Sequence, residues 1–260
     1  MKEVERWYDE SYDEWDRLEN HIVEFDITKR YLDKYIIGDS LEIFDIGGGP
    51  GRYAIRLAKK GHHVTLLDLS SRNIEVAKEK AAQERIELKG YIHGNALDLS
   101  DHKNVNDVIL LMGPLYHLVK LEDRVTCIQN ALNLLKPGGI LIASFISSYA
   151  PLQDYLKGLY PLNCVEDVLS YLSEGSNDGD SGFTTAYFSD PFEAQELMAQ
   201  FNLKQLDFVG VENILSGKEE NLKKLTSEQY DKYLDVAYEL SKDPNLYGMS
   251  EHFLYIGQKQ

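Results

Sequence analysis

One stretch constrains this chain more than any other: Leu41-Glu42-Ile43-Phe44-Asp45-Ile46-Gly47-Gly48-Gly49-Pro50-Gly51-Arg52-Tyr53. An apolar run ends in an acid, gives way to glycines, and reopens as Tyr53-Ala54-Ile55-Arg56-Leu57-Ala58 with helical spacing. That order predicts strand, tight turn and helix, the opening unit of a doubly wound α/β sheet. Glycines let the backbone reach positive φ and let a ligand approach the main chain closely. Loops of this kind lie at the carboxyl ends of strands, where open α/β sheets bind ligands.

The following segments keep the same rhythm. His62–Asp68 reads as a second strand, and Ser70 or Ser71 caps a helix over 73–82. Leu88–His93 is a third, short strand. Val105–Met112 is a fourth, apolar almost throughout, as a strand covered on both faces should be. The helix from Leu121 to Leu135 stops at Lys136-Pro137-Gly138-Gly139, and Ile140–Phe145 forms a fifth strand. Alternation at this rate means parallel βαβ units.

The rhythm is lost after Ser147. Helical pieces over 148–182 end in a glycine- and acid-rich loop at 174–182, followed by a short strand at Phe183–Phe188 and a helix at Pro191–Phe201. Leu203–Val211 reads as a sixth strand, Asn221–Ser241 as a helical insertion, and Glu251–Gln258 as the closing strand. The aromatics and acids of 4–37 recur at helical steps. They predict helices that either cover a sheet edge or form a lid with Tyr8, Tyr12 and Arg17 turned to a ligand. The expected whole is one domain over 1–260: a helical lid at 1–40, a ligand-binding core at 41–146, and cap insertions at 147–190 and 212–250.

The glycine loop discriminates between nucleotides. A dinucleotide loop wants G-x-G-x-x-G, but Arg52 stands where the third glycine belongs, and no Gly-Lys-Ser/Thr follows to make a P-loop. The pattern D-x-G-x-G-x-G from Asp45 to Gly51 resembles motif I of class I S-adenosylmethionine-dependent methyltransferases. The resemblance continues in order through Leu67-Asp68-Leu69-Ser70, Gly94-Asn95-Ala96, Leu111-Met112-Gly113-Pro114-Leu115-Tyr116-His117-Leu118 and Leu135-Lys136-Pro137-Gly138-Gly139. It covers residues 41–146 strongly and the rest weakly. It implies a Rossmann-like sheet of seven mostly parallel strands with an antiparallel last strand.

The resemblance also implies roles. Asp45 would lie near the amino end of the donor, and Asp68 would accept both ribose hydroxyls, as a carboxylate can. Asn95 departs from the family's frequent Asp, but its amide can still accept a bond from adenine. Ala96 and Leu97 would touch the ring. Gly47, Gly48, Gly49, Gly51, Arg52, Leu69 and Met112 complete the expected donor contacts, with Tyr12 as an aromatic neighbour of the sulfonium. Methyl transfer is an in-line displacement on an already activated leaving group, so alignment and exclusion of water carry most of it. A base is needed only where the acceptor must lose a proton. His117 is the candidate, either for that or for holding the loop after Pro114, with Tyr116 behind it.

Net charge bears on the acceptor. At −16 the chain is a poor grip for a phosphate backbone or an anionic membrane surface, so a small-molecule acceptor is expected. No apolar run approaches the ~20 residues that span a membrane, and the charged N-terminus has no apolar signal region. Cys127 and Cys164 lack CxxC spacing and read as reduced, buried thiols, and a cytoplasmic setting is expected. His62-His63 starts a strand with no third ligand nearby, so no metal is expected. S-adenosylmethionine would be the donor, with S-adenosylhomocysteine as product. The rivals are an NAD-dependent oxidoreductase and a non-catalytic S-adenosylmethionine-binding regulator. The insertions could serve substrate choice or a homodimer equally.

Overall fold

The computed structural model describes residues 2–103, 105–158, 165–179 and 183–260. Cys164 and the end of the expected 174–182 loop lie outside them. Seven strands form one sheet in the order β3-β2-β1-β4-β5-β9-β8. They are β1 (Glu42–Ile46), β2 (His63–Asp68), β3 (Gly90–His93), β4 (Asn106–Leu111), β5 (Leu135–Ile146), β8 (Leu203–Gly210) and β9 (His252–Lys259). β1 to β5 are parallel to one another, and β9 runs antiparallel between β5 and β8. This is the expected Rossmann-like sheet with its antiparallel final strand. The short strand expected at Phe183–Phe188 narrows to β7 (Ala186–Tyr187), which pairs with β6 (Ser176–Asn177) in a separate two-stranded ribbon.

Alternation along the central strands builds two cores. Phe44, Ile46, Ile109, Leu111, Leu141 and Ala143 face one side and pack on the helices Leu121–Asn133 and Pro191–Met198. Ile43, Val64, Leu66, Val108, Leu110 and Ile142 face the other, against Arg52–Lys59, Ser71–Gln83 and Ile22–Tyr35.

The last of these helices corrects the boundary of the lid. Val23, Ile27, Tyr31 and Leu32 are all fully buried, so Ile22–Tyr35 is a layer of the core, and only the segment ahead of it can act as a cover. The helix Ser227–Leu240, expected within a cap, packs on that same layer. Arg30 pairs with Asp235 at 2.8 Å, the Tyr230 hydroxyl donates to Asp26 at 2.9 Å, and Tyr31 meets Ser241 at 2.6 Å. Among the described residues, no helix is long and apolar enough to cross a membrane.

Candidate active site

The glycine loop turns because Gly47, Gly49 and Gly51 take φ of 71°, 55° and 82°. Two of its glycines are needed for close approach as well. A Cβ on Gly47 would lie 2.5 Å from Pro114 Cδ, which closes the loop after β1 onto the loop after β4. A Cβ on Gly48 would lie 2.6 Å from the Asp45 carboxylate, which is folded beneath the loop. Asp45 is 1% exposed, and its Oδ2 has no hydrogen-bond partner among the described residues. Burial pushes its carboxyl up to about 7, and the neighbouring Asp68 adds to the shift.

Asp68 ends β2 and is buried. Its Oδ2 accepts from Gly49 N at 2.8 Å; its Oδ1 accepts from Ser70 N at 2.9 Å and Asn73 Nδ2 at 3.2 Å. Burial still raises its pKa, against the pull of those donors. Together the two loops line a cavity of about 80 Å³ with Leu69, Ala96 and His117, and the N-terminal segment inserts Val4, Tyr8 and Glu14 into it. Glu14 is pushed up to about 7 by burial, opposed by Arg17.

Of the expected donor contacts, Gly47, Gly49, Asp68, Leu69 and Ala96 line this cavity, and eight others do not: Asp45 lies beneath the loop, Tyr12 lines a second, larger cavity, and six turn elsewhere. Gly48 covers Asp45, and a Cβ on Gly51 would lie 3.2 Å from Ala77 Cβ. Arg52 turns away to the N-terminal helices. Its guanidinium lies 3.8 Å from the Phe25 ring centre and donates to Leu18 O, a better use for a half-buried cation than contact with a sulfonium. Asn95 Oδ1 accepts from Leu97 N at 2.9 Å, an Asx turn that occupies the oxygen expected to meet adenine. Leu97 packs on one core and Met112 on the other, with Met112 O accepting from the Tyr116 hydroxyl at 3.1 Å.

Of the two roles expected of His117, its geometry favours holding the loop. Its Nδ1 lies 3.0 Å from Thr185 O and can only donate there, which leaves Nε2 to accept from the Tyr8 hydroxyl at 3.0 Å. Burial lowers the imidazole to about 4. With both nitrogens engaged and the ring neutral, His117 is a fixed part of the wall, and a free general base is not found there. Tyr116 is raised beyond the range of acid–base work near neutrality, chiefly by burial.

Beyond that wall lies a cavity of about 490 Å³. Its aromatic side is formed by Trp7, Tyr12, Tyr171, Phe183 and Phe188, with Tyr12 stacked on Trp7 at 5.6 Å. Tyr8 packs edge-on against Tyr12 at 5.9 Å and His117 at 5.5 Å, and His117 lies 5.7 Å from Phe183. Those rings divide the two cavities.

Charge gathers at the floor of the larger cavity, where Arg17 and His252 line it. Glu212, 2% exposed, accepts from the backbone N–H groups of Glu251 and His252 at 3.1 and 2.9 Å, and His252 Nδ1 lies 2.6 Å from its other oxygen. Arg17 reaches Glu14, Glu24 and His252 Nε2, each at 3.4 Å. Burial alone would lower the His252 imidazole, but Glu24 and Glu212 outweigh it and hold it up to about 9. Glu24, Glu212 and His252 bring ligand-type atoms within 4.8 Å of one another. The guanidinium beside them already supplies the positive charge that a metal ion would bring, so the group reads as an ion-pair cluster.

Sequence reasoning placed Arg17 near a ligand but missed Glu14, Glu212 and His252. A signal existed for His252: an antiparallel strand begins at the edge where its parallel neighbours end, and His252 pairs with Ile146, the last residue of β5.

Comparison with known proteins identifies the domain that holds the glycine loop. A family profile described as a methyltransferase domain matches residues 43–139. The ubiquinone biosynthesis O-methyltransferase of Coxiella burnetii is 28% identical over 71% of this chain and 73% of its own length. Residues 43–139 are a methyltransferase domain of the class I S-adenosylmethionine-dependent kind.

Other relatives of this methyltransferase are more partial. The tRNA 5-carboxymethoxyuridine methyltransferase of Escherichia coli is 30% identical over 52% of this chain and 48% of its own length. The fold is shared with a methyltransferase of Methanosarcina mazei, 22% identical over 88% of this chain and 96% of that one, with a TM-score of 0.58. It is shared too with the magnesium protoporphyrin IX methyltransferase of Synechocystis, which holds S-adenosylhomocysteine, at 14% identity over 99% and 98% of the two chains and a TM-score of 0.59. S-adenosylmethionine is the methyl donor, and the matches do not favour a nicotinamide oxidoreductase.

Proposed function

We propose that this methyltransferase moves the methyl group of S-adenosylmethionine to a small molecule held in the larger cavity. The observation that carries this reading is the adjoining pair of cavities at the carboxyl edge of the sheet, parted by an aromatic wall. The residues fit the donor. Asp45 offers a buried carboxylate oxygen without a partner, suited to the α-ammonium group, and Asp68 sits ~20 residues on at the end of β2, suited to the ribose. Gly47 and Gly49 leave main chain exposed beside the methionine part, and Leu69 and Ala96 give the adenine an apolar berth.

A cavity of about 80 Å³ is well short of the ~300–1,000 Å³ typical of ligand pockets. Val4, Tyr8 and Glu14 account for the difference, so the donor is admitted when the N-terminal segment swings away and is enclosed when it returns. Return of Tyr8 and Tyr12 would place electron-rich rings near the sulfonium and exclude water.

A small acceptor is favoured over tRNA by the net charge of −16, which opposes a polyanion. The Coxiella relative, named as an O-methyltransferase of ubiquinone biosynthesis, adds weight to an oxygen acceptor on a small molecule. Calorimetry with S-adenosylmethionine, S-adenosylhomocysteine and NAD tests the donor site; the two sulfur ligands should bind and NAD should not. Release of S-adenosylhomocysteine with a panel of small phenols, acids and amines, against unmodified tRNA, tests the acceptor. Product with tRNA alone would reject the reading.

A further inference from the structure

We propose that His252, oriented by Glu212, takes the proton from a phenolic hydroxyl of the acceptor bound in the larger cavity. This rests on the reading of that cavity as the acceptor site.

The geometry is that of a base held by a third group. Glu212 is locked by two backbone donors, so its second oxygen fixes the direction of His252 Nδ1–H. That leaves Nε2 on the side of Arg17 and the cavity, where it can accept a proton once the imidazole is neutral, above about pH 9. His252 is two strands from β4 across the sheet, or ~10 Å at the usual strand spacing, on the edge where the glycine loop presents the donor. Arg17 stands 3.4 Å from Nε2, where a guanidinium would stabilise an oxyanion.

The acceptor class follows from two features. Aromatic walls on one side suit a flat ring. The strength of the base selects the hydroxyl. Glu24 and Glu212 hold His252 up, aided by Glu14 and Glu251 and opposed by Arg17 and by burial, so that it titrates at about 9. A base of that strength is matched to a phenol, which ionises at ~10, and is far too weak for an aliphatic alcohol.

The step balances. The phenolic O–H bond breaks and its proton goes to Nε2, giving an imidazolium beside a phenolate. The oxygen lone pair forms a bond to the methyl carbon as the carbon–sulfur bond breaks, its electron pair staying on sulfur. The products are an aryl methyl ether, neutral S-adenosylhomocysteine, and a proton that His252 later releases to solvent.

Nitrocatechol reports this directly, because ionisation of its ring changes its visible spectrum. With the whole protein saturated by S-adenosylhomocysteine, below the pH at which free probe ionises, the bound probe is expected as phenolate beside the His252 imidazolium, the ion pair that the proton transfer would produce. His252→Gln should cut that fraction about tenfold while donor affinity stays within about twofold. With S-adenosylmethionine, log kcat/KM should rise with unit slope to a limb near pH 9 and level off, and Glu212→Gln should move that limb to lower pH. A merely structural Glu212 would leave the limb in place. An unperturbed probe spectrum, or the same phenolate fraction in His252→Gln, overturns the proposal. Turnover of nitrocatechol that His252→Gln leaves unchanged at every pH overturns it too, and spares the small-molecule reading. A His252-dependent phenolate with no methyl ether formed would instead reject that reading and leave His252 only as the cationic partner of a bound phenolate.

Discussion

Ser70 Oγ donates to Asp9 Oδ1 at 2.6 Å, and that contact ties the N-terminal segment to the rim of the donor cavity. Arg72 N donates to the same oxygen at 3.1 Å, so Asp9 also satisfies an open donor at the start of the helix Ser71–Gln83. Partial burial would raise the carboxyl, but the bonds from Ser70 and Arg72 outweigh it and hold it below the usual range. A lowered carboxylate stabilises at and above the ordinary carboxylate range, and its contribution is lost as pH falls through its own lower value. Asp9→Ala should therefore lower stability by about 0.5–1.5 kcal/mol and speed association of S-adenosylmethionine by making the segment easier to displace. Thermal denaturation and stopped-flow binding read the two effects. An unchanged on-rate would show that the latch does not limit admission.

Asp45 gives binding a proton signature. In the free protein its carboxyl titrates at about 7, because burial and Asp68 both disfavour the charge. Pairing with an α-ammonium group recruits the ionised form. Below pH 7, where the free carboxyl is mostly protonated, donor binding should release a proton from Asp45, and the release should fade as pH rises above that value. Calorimetry in buffers of different ionisation enthalpy counts the proton. Asp45→Asn should abolish the dependence and weaken binding; persistence of the full release in that variant would move the proton to Glu14, which also titrates at about 7.

The sequence was legible where local pattern and tertiary role agree. Glu42 through Lys59 spells a strand, a turn and a helix in contiguous residues, and the sheet assembles as its apolar runs require. It was misleading where one residue has two possible environments. Arg52 sits beside the glycines in the chain, yet the helix it begins points it at Phe25 and Leu18. Asn95 has the right chemistry for adenine, but a short polar side chain also bonds its own backbone, and here it does. It was silent where the site is assembled from distant segments. Glu212, His252 and Arg17 are separated by up to 235 positions and carry no shared motif, so only the packing of β9 beside β5 brings them to one floor.

The Tyr8–His117 pair yields a prediction opposite to the one its residue types suggest. His117 titrates at about 4 because it is buried, and it holds one hydrogen bond at each nitrogen. It is thus neutral and invariant across roughly pH 6–8, the span in which an ordinary histidine changes charge. His117→Gln should leave the shape of the pH–rate profile unaltered over that span. It should lower kcat through loss of the wall between the cavities, and Tyr8→Phe should do the same more weakly, since the ring remains and one hydrogen bond goes. A new inflection near neutrality in wild-type activity that vanishes in His117→Gln would contradict this.

Asp68 tests the donor site most sharply, because its carboxylate has both a structural and a binding role that can be separated. In the structure it gathers Gly49 N, Ser70 N and Asn73 Nδ2, which shapes the loop and the following helix start. In the complex it would also accept from the ribose. Hydrogen bonds to a charged acceptor are worth ~1.5–3 kcal/mol, so Asp68→Ala should weaken S-adenosylmethionine about 10- to 100-fold. Asp68→Asn keeps one carbonyl oxygen for Gly49 N or Ser70 N but cannot accept from two hydroxyls at once, and should fall between. Removing the 2′-hydroxyl from the donor supplies the control: 2′-deoxy-S-adenosylmethionine should lose affinity for the wild type and lose little more in Asp68→Ala. If the deoxy donor is penalised equally in both proteins, Asp68 shapes the loop without touching the ribose.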